Sequence, residues 1–249
     1  MVQPIVLLRG LAREQAHWGD FPAALARQTE RVVWCQDLPG MGQYHREQSP
    51  ADMARLAELM LPRLRRQHAG PWHLVAMSLG AMLAVQLAAL APTQVSSLVL
   101  INTSAGALTP FYQRLRWQQY PKVLGAFVAP LQQREQLILQ MTSTLLQQRQ
   151  RQQQLAVALQ IARQRPVLRS NVLKQLWAAS HFQLPARPLC PILLLSGGAD
   201  QLVDPICTER LAEYWQVPHQ QHRQAGHDLV LDAPDWLLAQ LLKFYADAN

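Results

Sequence analysis

Short, near-continuous apolar runs alternate along the chain with longer stretches in which apolar residues recur every three or four positions. The runs at Pro4–Leu8, Arg31–Cys35, Trp72–Met77, Ser97–Asn102 and Ile192–Ser196 lack the every-other-residue alternation of a half-exposed sheet. They therefore predict strands of a parallel sheet covered on both faces. A weaker strand is expected at His219–Arg223. The helical period predicts helices over His17–Gln28 and over Pro50–Gln67, where Met53, Leu56, Ala57, Met60, Leu61 and Leu64 share a face. Further helices are expected over Leu79–Ala91, which stops at Pro92, over Ile206–Trp215, and from Pro234 to Ala246. Strands alternating with helices of this length imply right-handed βαβ units, and so a three-layer α/β fold with a mostly parallel sheet of about six strands.

One segment breaks the alternation. Between residues 105 and 186 the pattern is helical throughout, including Leu131–Gln164 with its glutamine-rich patch at Gln147–Gln154. Because the segment is inserted between two strands, it is expected to form a helical cap over the carboxyl ends of the sheet, where ligands bind in open α/β folds. The predicted division is a core of residues 1–104 and 187–249 and a cap of 105–186. Disorder is the alternative for the glutamine patch.

Composition narrows the function classes. The 249 residues are 49% hydrophobic and 16% charged, an ordinary globular balance. The apolar stretch around Leu79–Ala91 is too short to span a bilayer, and the N-terminus lacks the features of a secretory signal. Cys35, Cys190 and Cys207 are odd in number and form no CxxC pair, which argues against disulfides and against a zinc site. No motif calls for a metal, nucleotide or other cofactor, and the expected location is the cytoplasm. The net charge of +7 is unevenly spread: residues 105–186 hold ten basic residues and one acid, Glu135, leaving −2 for the rest. A basic cap can steer an anionic partner or can be a solvated face. A nucleic-acid groove would need aromatics interleaved with the basic residues, which this segment does not show convincingly.

The chemistry-bearing signal is Ala76-Met77-Ser78-Leu79-Gly80, between a predicted strand and a predicted helix. A nucleophile elbow needs this context, with small residues two before and two after the serine. Ala76 stands where the strict pattern has Gly. An N-capping role for Ser78 is the simpler reading of the pentapeptide alone. Spacing favours chemistry, because a serine hydroxyl needs a base, and the base needs a carboxylate to fix its tautomer. Asp200 follows a strand in Gly197-Gly198-Ala199-Asp200, and His227 follows the weak strand in Gly226-His227-Asp228. Ser78, Asp200 and His227 are thus the candidate catalytic residues. Asp204 rivals Asp200, although its position before Pro205 suits a helix cap. The remaining histidines, His17, His45, His68, His73, His181, His219 and His222, lack this context and are expected at the surface or in packing. Backbone N–H groups of Leu79 and Leu11 are the candidate oxyanion donors, Gly10 letting the chain turn beside them.

Taken together, Leu7–Leu11, Asp37–Gly42, Ala76–Gly80, Leu195–Asp200 and Gly226-His227 resemble the α/β-hydrolase superfamily, in particular small cytoplasmic esterases with helical caps. The resemblance covers nearly all of the chain outside the cap. It implies a triad of Ser78, Asp200 and His227 with oxyanion donors at Leu11 and Leu79. It further implies a carboxylic-ester hydrolase that acts on a small-molecule ester without a cofactor. A lyase or thioesterase on the same triad, and a non-catalytic binding protein, are the other readings. In the related pimeloyl-carrier-protein methyl ester esterase, cap arginines engage an acidic acyl-carrier protein, so such a partner is one expectation here. Two positions depart from the family: Arg9 and Met41 stand where many relatives carry histidine. Arg9 is expected either at the rim, binding a substrate carboxylate, or in a structural role in its loop. The chain begins on what would be the family's third strand, so the leading hairpin is expected to be absent.

Overall fold

The computed structural model describes residues 3–247. Six strands form one sheet in the order β2-β1-β3-β4-β5-β6. They are β1 (Ile5–Leu8), β2 (Val33–Cys35), β3 (Trp72–Met77), β4 (Val95–Ile101), β5 (Ile192–Gly197) and β6 (His219–His222). Every pairing is parallel, with Leu8 opposite Ala76 and Met77 opposite Ile101. The chain runs outward from β1 to one edge, returns, and continues to the other edge.

Alternate side chains on each strand enter opposite cores. Val6, Leu8, Leu74 and Ala76 pack with helices α2 (Met53–Gln67), α3 (Leu79–Leu90) and α9 (Ile206–Trp215). Ile5, Leu7, Val75 and Met77 pack on the other face with α1 (Phe21–Thr29), α10 (Leu229–Asp232) and α11 (Pro234–Asp247). Each fully buried Leu, Ile or Val contributes roughly 1.5–3 kcal/mol, so strands apolar on both faces are stable only between two helical layers. The six-stranded parallel sheet between two helical layers is the architecture expected from the sequence.

Two helical expectations change in detail. The segment predicted as a helix from His17 to Gln28 divides into a single 3-10 turn, Gln15–Trp18, and α1. Gly19 at φ 54 ends the turn, and Pro22 fits only the first turn of a new helix. The block Leu131–Gln164 divides likewise into α6 (Leu131–Thr142) and α7 (Gln148–Gln164). Asp232 interrupts it by accepting from Ser143 Oγ at 2.5 Å, Thr144 N at 2.9 Å and Leu145 N at 3.2 Å, which draws the chain out of helical register. The glutamine patch itself is ordered as the start of α7, where Gln147 and Gln150 bond reciprocally around the helix entry. The helical segment between β4 and β5 is completed by α4 (Phe111–Arg114), α5 (Tyr120–Val128) and α8 (Arg169–Ser180). Among the described residues no helix is long and apolar enough to cross a membrane.

Candidate active site

At the carboxyl end of β3 the chain turns directly into α3, and Ser78 is the single residue at the turn. Its backbone has φ 55 and ψ −120, a region that non-glycine residues rarely occupy. Two neighbours hold it there: Ser78 N donates to Ile101 O at 2.8 Å, and Thr103 Oγ1 donates to Ser78 O at 3.2 Å. The serine side chain caps none of the amides of α3. The turn needs small residues around it, because a Cβ on Gly80 would lie 2.5 Å from Arg9 O. Gly10 is less tightly placed but still close; a Cβ there would meet Ser78 Cβ at 3.0 Å. The loop after β1 therefore lies against the serine. Among the described residues the amides of Leu11 and Leu79, both in the wall of the same cavity as Ser78, find no hydrogen-bond acceptor in the protein.

The loop after β5 delivers Asp200, which is 1% exposed. Its Oδ1 accepts from the amides of Leu202 at 2.8 Å and Val203 at 3.0 Å, and its Oδ2 lies 2.6 Å from His227 Nδ1. Asp204, the rival acid, instead accepts from Ile206 N at 3.1 Å and so caps α9. Burial pushes the His227 imidazole toward the neutral form, but the charge and hydrogen bond of Asp200 and the charge of Asp228 outweigh it. Its pKa is raised above the usual 6.5. With Nδ1 turned to Asp200, Nε2 is the nitrogen left for other partners.

Arg9 does not stand at a rim. It is 3% exposed and forks onto Asp228, with Nη1–Oδ1 at 3.2 Å and Nη2–Oδ2 at 2.5 Å, while its guanidinium lies 5.1 Å from the centre of the Trp18 ring. The rim expectation fails because Asp228, adjoining the histidine in sequence, turns toward β1 and neutralises the arginine. Burial opposes the Asp228 charge, yet the Arg9 guanidinium holds that carboxyl below its usual range. The pair joins the loop carrying Gly10 and Leu11 to the loop carrying His227.

Asn102 carries no chemistry-bearing motif in the sequence, yet it organises the site. At the end of β4, with φ 48, its side-chain amide donates to His227 O at 2.6 Å while its carbonyl accepts from Gly197 N at 2.9 Å. The one sequence signal is an asparagine, which tolerates positive φ, as the last residue of the expected strand Ser97–Asn102; the strand ends at Ile101. Asp232 is similar in kind, accepting from Gly226 N at 2.7 Å. His17, expected in packing or at the surface, lines the cavity, and burial and the nearby Arg13 hold it well below its usual pKa.

Ser78 and His227 open on one cavity of about 450 Å³ with a mostly apolar wall. Much of its wall comes from the segment between β4 and β5, through Tyr120, Phe127, Ile138 and Leu176 among others. Charged latches tie that segment to the core beside the cavity: Arg13–Glu135 at 2.8 Å and Arg165–Glu14 at 2.5 Å. The second is a close contact without hydrogen-bond alignment at Glu14 Oε1. Burial raises the Glu14 carboxyl to about 7, although Arg165 pulls the other way.

Residues 5–240 match the Alpha/beta hydrolase family. The chain belongs to that family. Its fold is shared with the enol-lactonase of Burkholderia xenovorans, which is 18% identical at a TM-score of 0.79, with 99% of this chain and 92% of that chain covered. It is shared also with a thermophilic esterase of Thermogutta terrifontis, 17% identical at a TM-score of 0.78, with 100% and 91% covered. At these identities the likeness is one of fold. In sequence, 103 residues are 36% identical to the dihydrolipoyllysine-residue acetyltransferase component of the acetoin cleaving system of Pseudomonas putida, covering 41% of this chain. The match spans only 27% of that relative's length. Membership in the α/β-hydrolase family supports a hydrolytic enzyme.

Proposed function

We propose that this α/β-hydrolase is a serine esterase that cleaves a carboxylic ester or thioester of an apolar acyl group through an acyl-enzyme. The observation that carries the reading is the 2.6 Å contact of His227 Nδ1 with Asp200 Oδ2, at a cavity that also opens on the strained, uncapped Ser78. In this mechanism Ser78 Oγ attacks the carbonyl carbon as His227 Nε2 takes its proton. The amides of Leu11 and Leu79 hold the oxygen that gains charge. Collapse of the tetrahedral adduct breaks the bond to the leaving alcohol or thiol, which carries away the proton from His227. Water then repeats the sequence on the acyl-Ser78 ester and releases the acid. Asp200 stays ionised and keeps the imidazole in the required tautomer. The serine–histidine hydrogen bond closes when substrate fills the cavity.

The segment of residues 105–186 serves as the cap in this reading, and its apolar inner wall selects the acyl group. A fluorophosphonate probe tests the proposal. Labelling is expected at Ser78 and is lost in Ser78→Ala, with turnover of p-nitrophenyl esters falling by about three orders of magnitude or more. Folded wild-type protein that takes no label would overturn it. Acyl-chain preference is expected to favour medium over acetyl esters, because each added methylene buries apolar surface worth about 0.8 kcal/mol.

A further inference from the structure

Helix α5 is apolar on both sides. Tyr120, Val123 and Phe127 line the cavity, while Leu124 and Val128, spaced four apart, are exposed, Leu124 to 66%. A helix whose outer side faces water carries polar residues there; an outer side this apolar calls for an apolar neighbour. Helix α8 repeats the arrangement. Val172 and Leu176 line the cavity, and Leu173 and Trp177 point outward, Trp177 being 59% exposed. Phe111 and Trp117, before α5, are 71% and 61% exposed.

These helices form a closed circuit. Arg114 of α4 donates to the carbonyls of Ala179 and Ser180 at the end of α8. Arg169, at the start of α8, donates to Val128 O at the end of α5, and residues 115–119 return the chain to α4. Each of the three helices supplies cavity wall, so the exposed apolar residues sit on helices that enclose the cavity. The circuit also carries Lys122, Arg169 and Lys174 and no acid; the only acid of residues 105–186, Glu135, is buried against Arg13 and Arg134.

We propose that this face docks onto an anionic lipid bilayer. Its Trp, Tyr, Phe and Leu side chains enter the headgroup boundary, its cations meet lipid phosphates, and the cavity opens toward the membrane. Exposed aromatics among Lys and Arg are the composition of interfacial surfaces. Two other occupants fit less well. A second copy would set one strongly basic segment against another, and like charges repel. A folded acidic protein would meet the cations, but protein interfaces concentrate their affinity in a packed centre, and the centre of this ring is the cavity. The docking itself does not depend on the proposed reaction. With that reaction, it makes the substrate an amphiphilic ester drawn from the bilayer.

The test is co-sedimentation of the full chain with vesicles of phosphatidylcholine alone and of equimolar phosphatidylcholine and phosphatidylglycerol. Wild-type and Ser78→Ala proteins are expected to bind the anionic vesicles equally, and less so at high salt. K122Q and K174Q should each weaken binding about fivefold, and L124S/W177S by about tenfold or more even at low salt. V32S, at an exposed apolar residue on the core, should change nothing; circular dichroism checks that each variant is folded. Absence of binding, equal binding to neutral vesicles, or undiminished binding by L124S/W177S would overturn the proposal. So would a dimer that the same double variant disperses, or an acidic protein partner bound in place of vesicles. Hydrolysis of soluble p-nitrophenyl acetate separates failure of docking from failure of the chemistry.

Discussion

Ser78 holds a backbone conformation that costs an ordinary side chain roughly 1–3 kcal/mol, and the bonds around it show where that cost is offset. Asn102 lies between the two residues that hold Ser78, Ile101 and Thr103, and it bonds both the β5 end and the His227 loop. Asn102→Ala is expected to lower stability by about 1–3 kcal/mol in urea unfolding, since it orphans a buried amide and carbonyl. The same variant should reduce kcat more than it raises KM, because the histidine loop loses its register. Arg9→Met leaves Asp228 charged, buried and alone, and should cost about 3–5 kcal/mol; adding Asp228→Asn should recover most of it. The pH profile follows from His227. If His227 is the base, as proposed, its raised pKa means that the neutral form is lost below a value above 6.5, so the acidic limb of kcat/KM is expected above 6.5. For stability the sign runs the other way: this group's contribution is full below 6.5 and is lost as pH rises through the folded value. The depressed Asp228 contributes above its usual 3.8 and is lost as pH falls through its lower folded value.

At the scale of elements, close approach of backbones sets what the sequence tolerates. A Cβ at Gly80 would strike Arg9 O at 2.5 Å and one at Gly197 would strike Gly226 O at 2.2 Å, so α3 and β5 can reach their places only with glycine there. Gly80→Ala and Gly197→Ala are expected to lose about 3 kcal/mol or more, or to fail to fold. Gly125→Ala, inside α5 with only Leu137 at 3.5 Å, should gain up to ~1 kcal/mol from helix propensity. Thermal unfolding of the three variants separates the two cases. The strands were legible because burial on both faces leaves continuous apolar runs, a local pattern. The helix boundaries were less so. Nothing near Ser143 in sequence announces that Asp232, nearly ninety positions away, will take its hydroxyl and the following amides and end α6.

For the whole molecule, the ion pairs between residues 105–186 and the loop after β1 join two parts of the cavity wall. Glu14 makes one of them pH-sensitive: its carboxyl ionises near 4.5 when unfolded and at about 7 when folded. Between those values unfolding releases a proton, so stability is expected to fall as pH rises, and Glu14→Gln should flatten that part of the Tm–pH curve. By itself the sequence determined the parallel sheet, the helical insertion, and the placing of Ser78, Asp200 and His227 in loops at strand ends. Periodicity and loop position are local properties, and parallel strands bring all such loops to one edge of the sheet. Tertiary structure alone decided that Asp200 rather than Asp204 reaches the imidazole, and that Arg9 turns inward to Asp228, 219 positions away. It alone made Asn102 a tether between the end of β5 and the His227 loop. Those outcomes depend on side-chain directions and on contacts between remote segments, which no local pattern encodes.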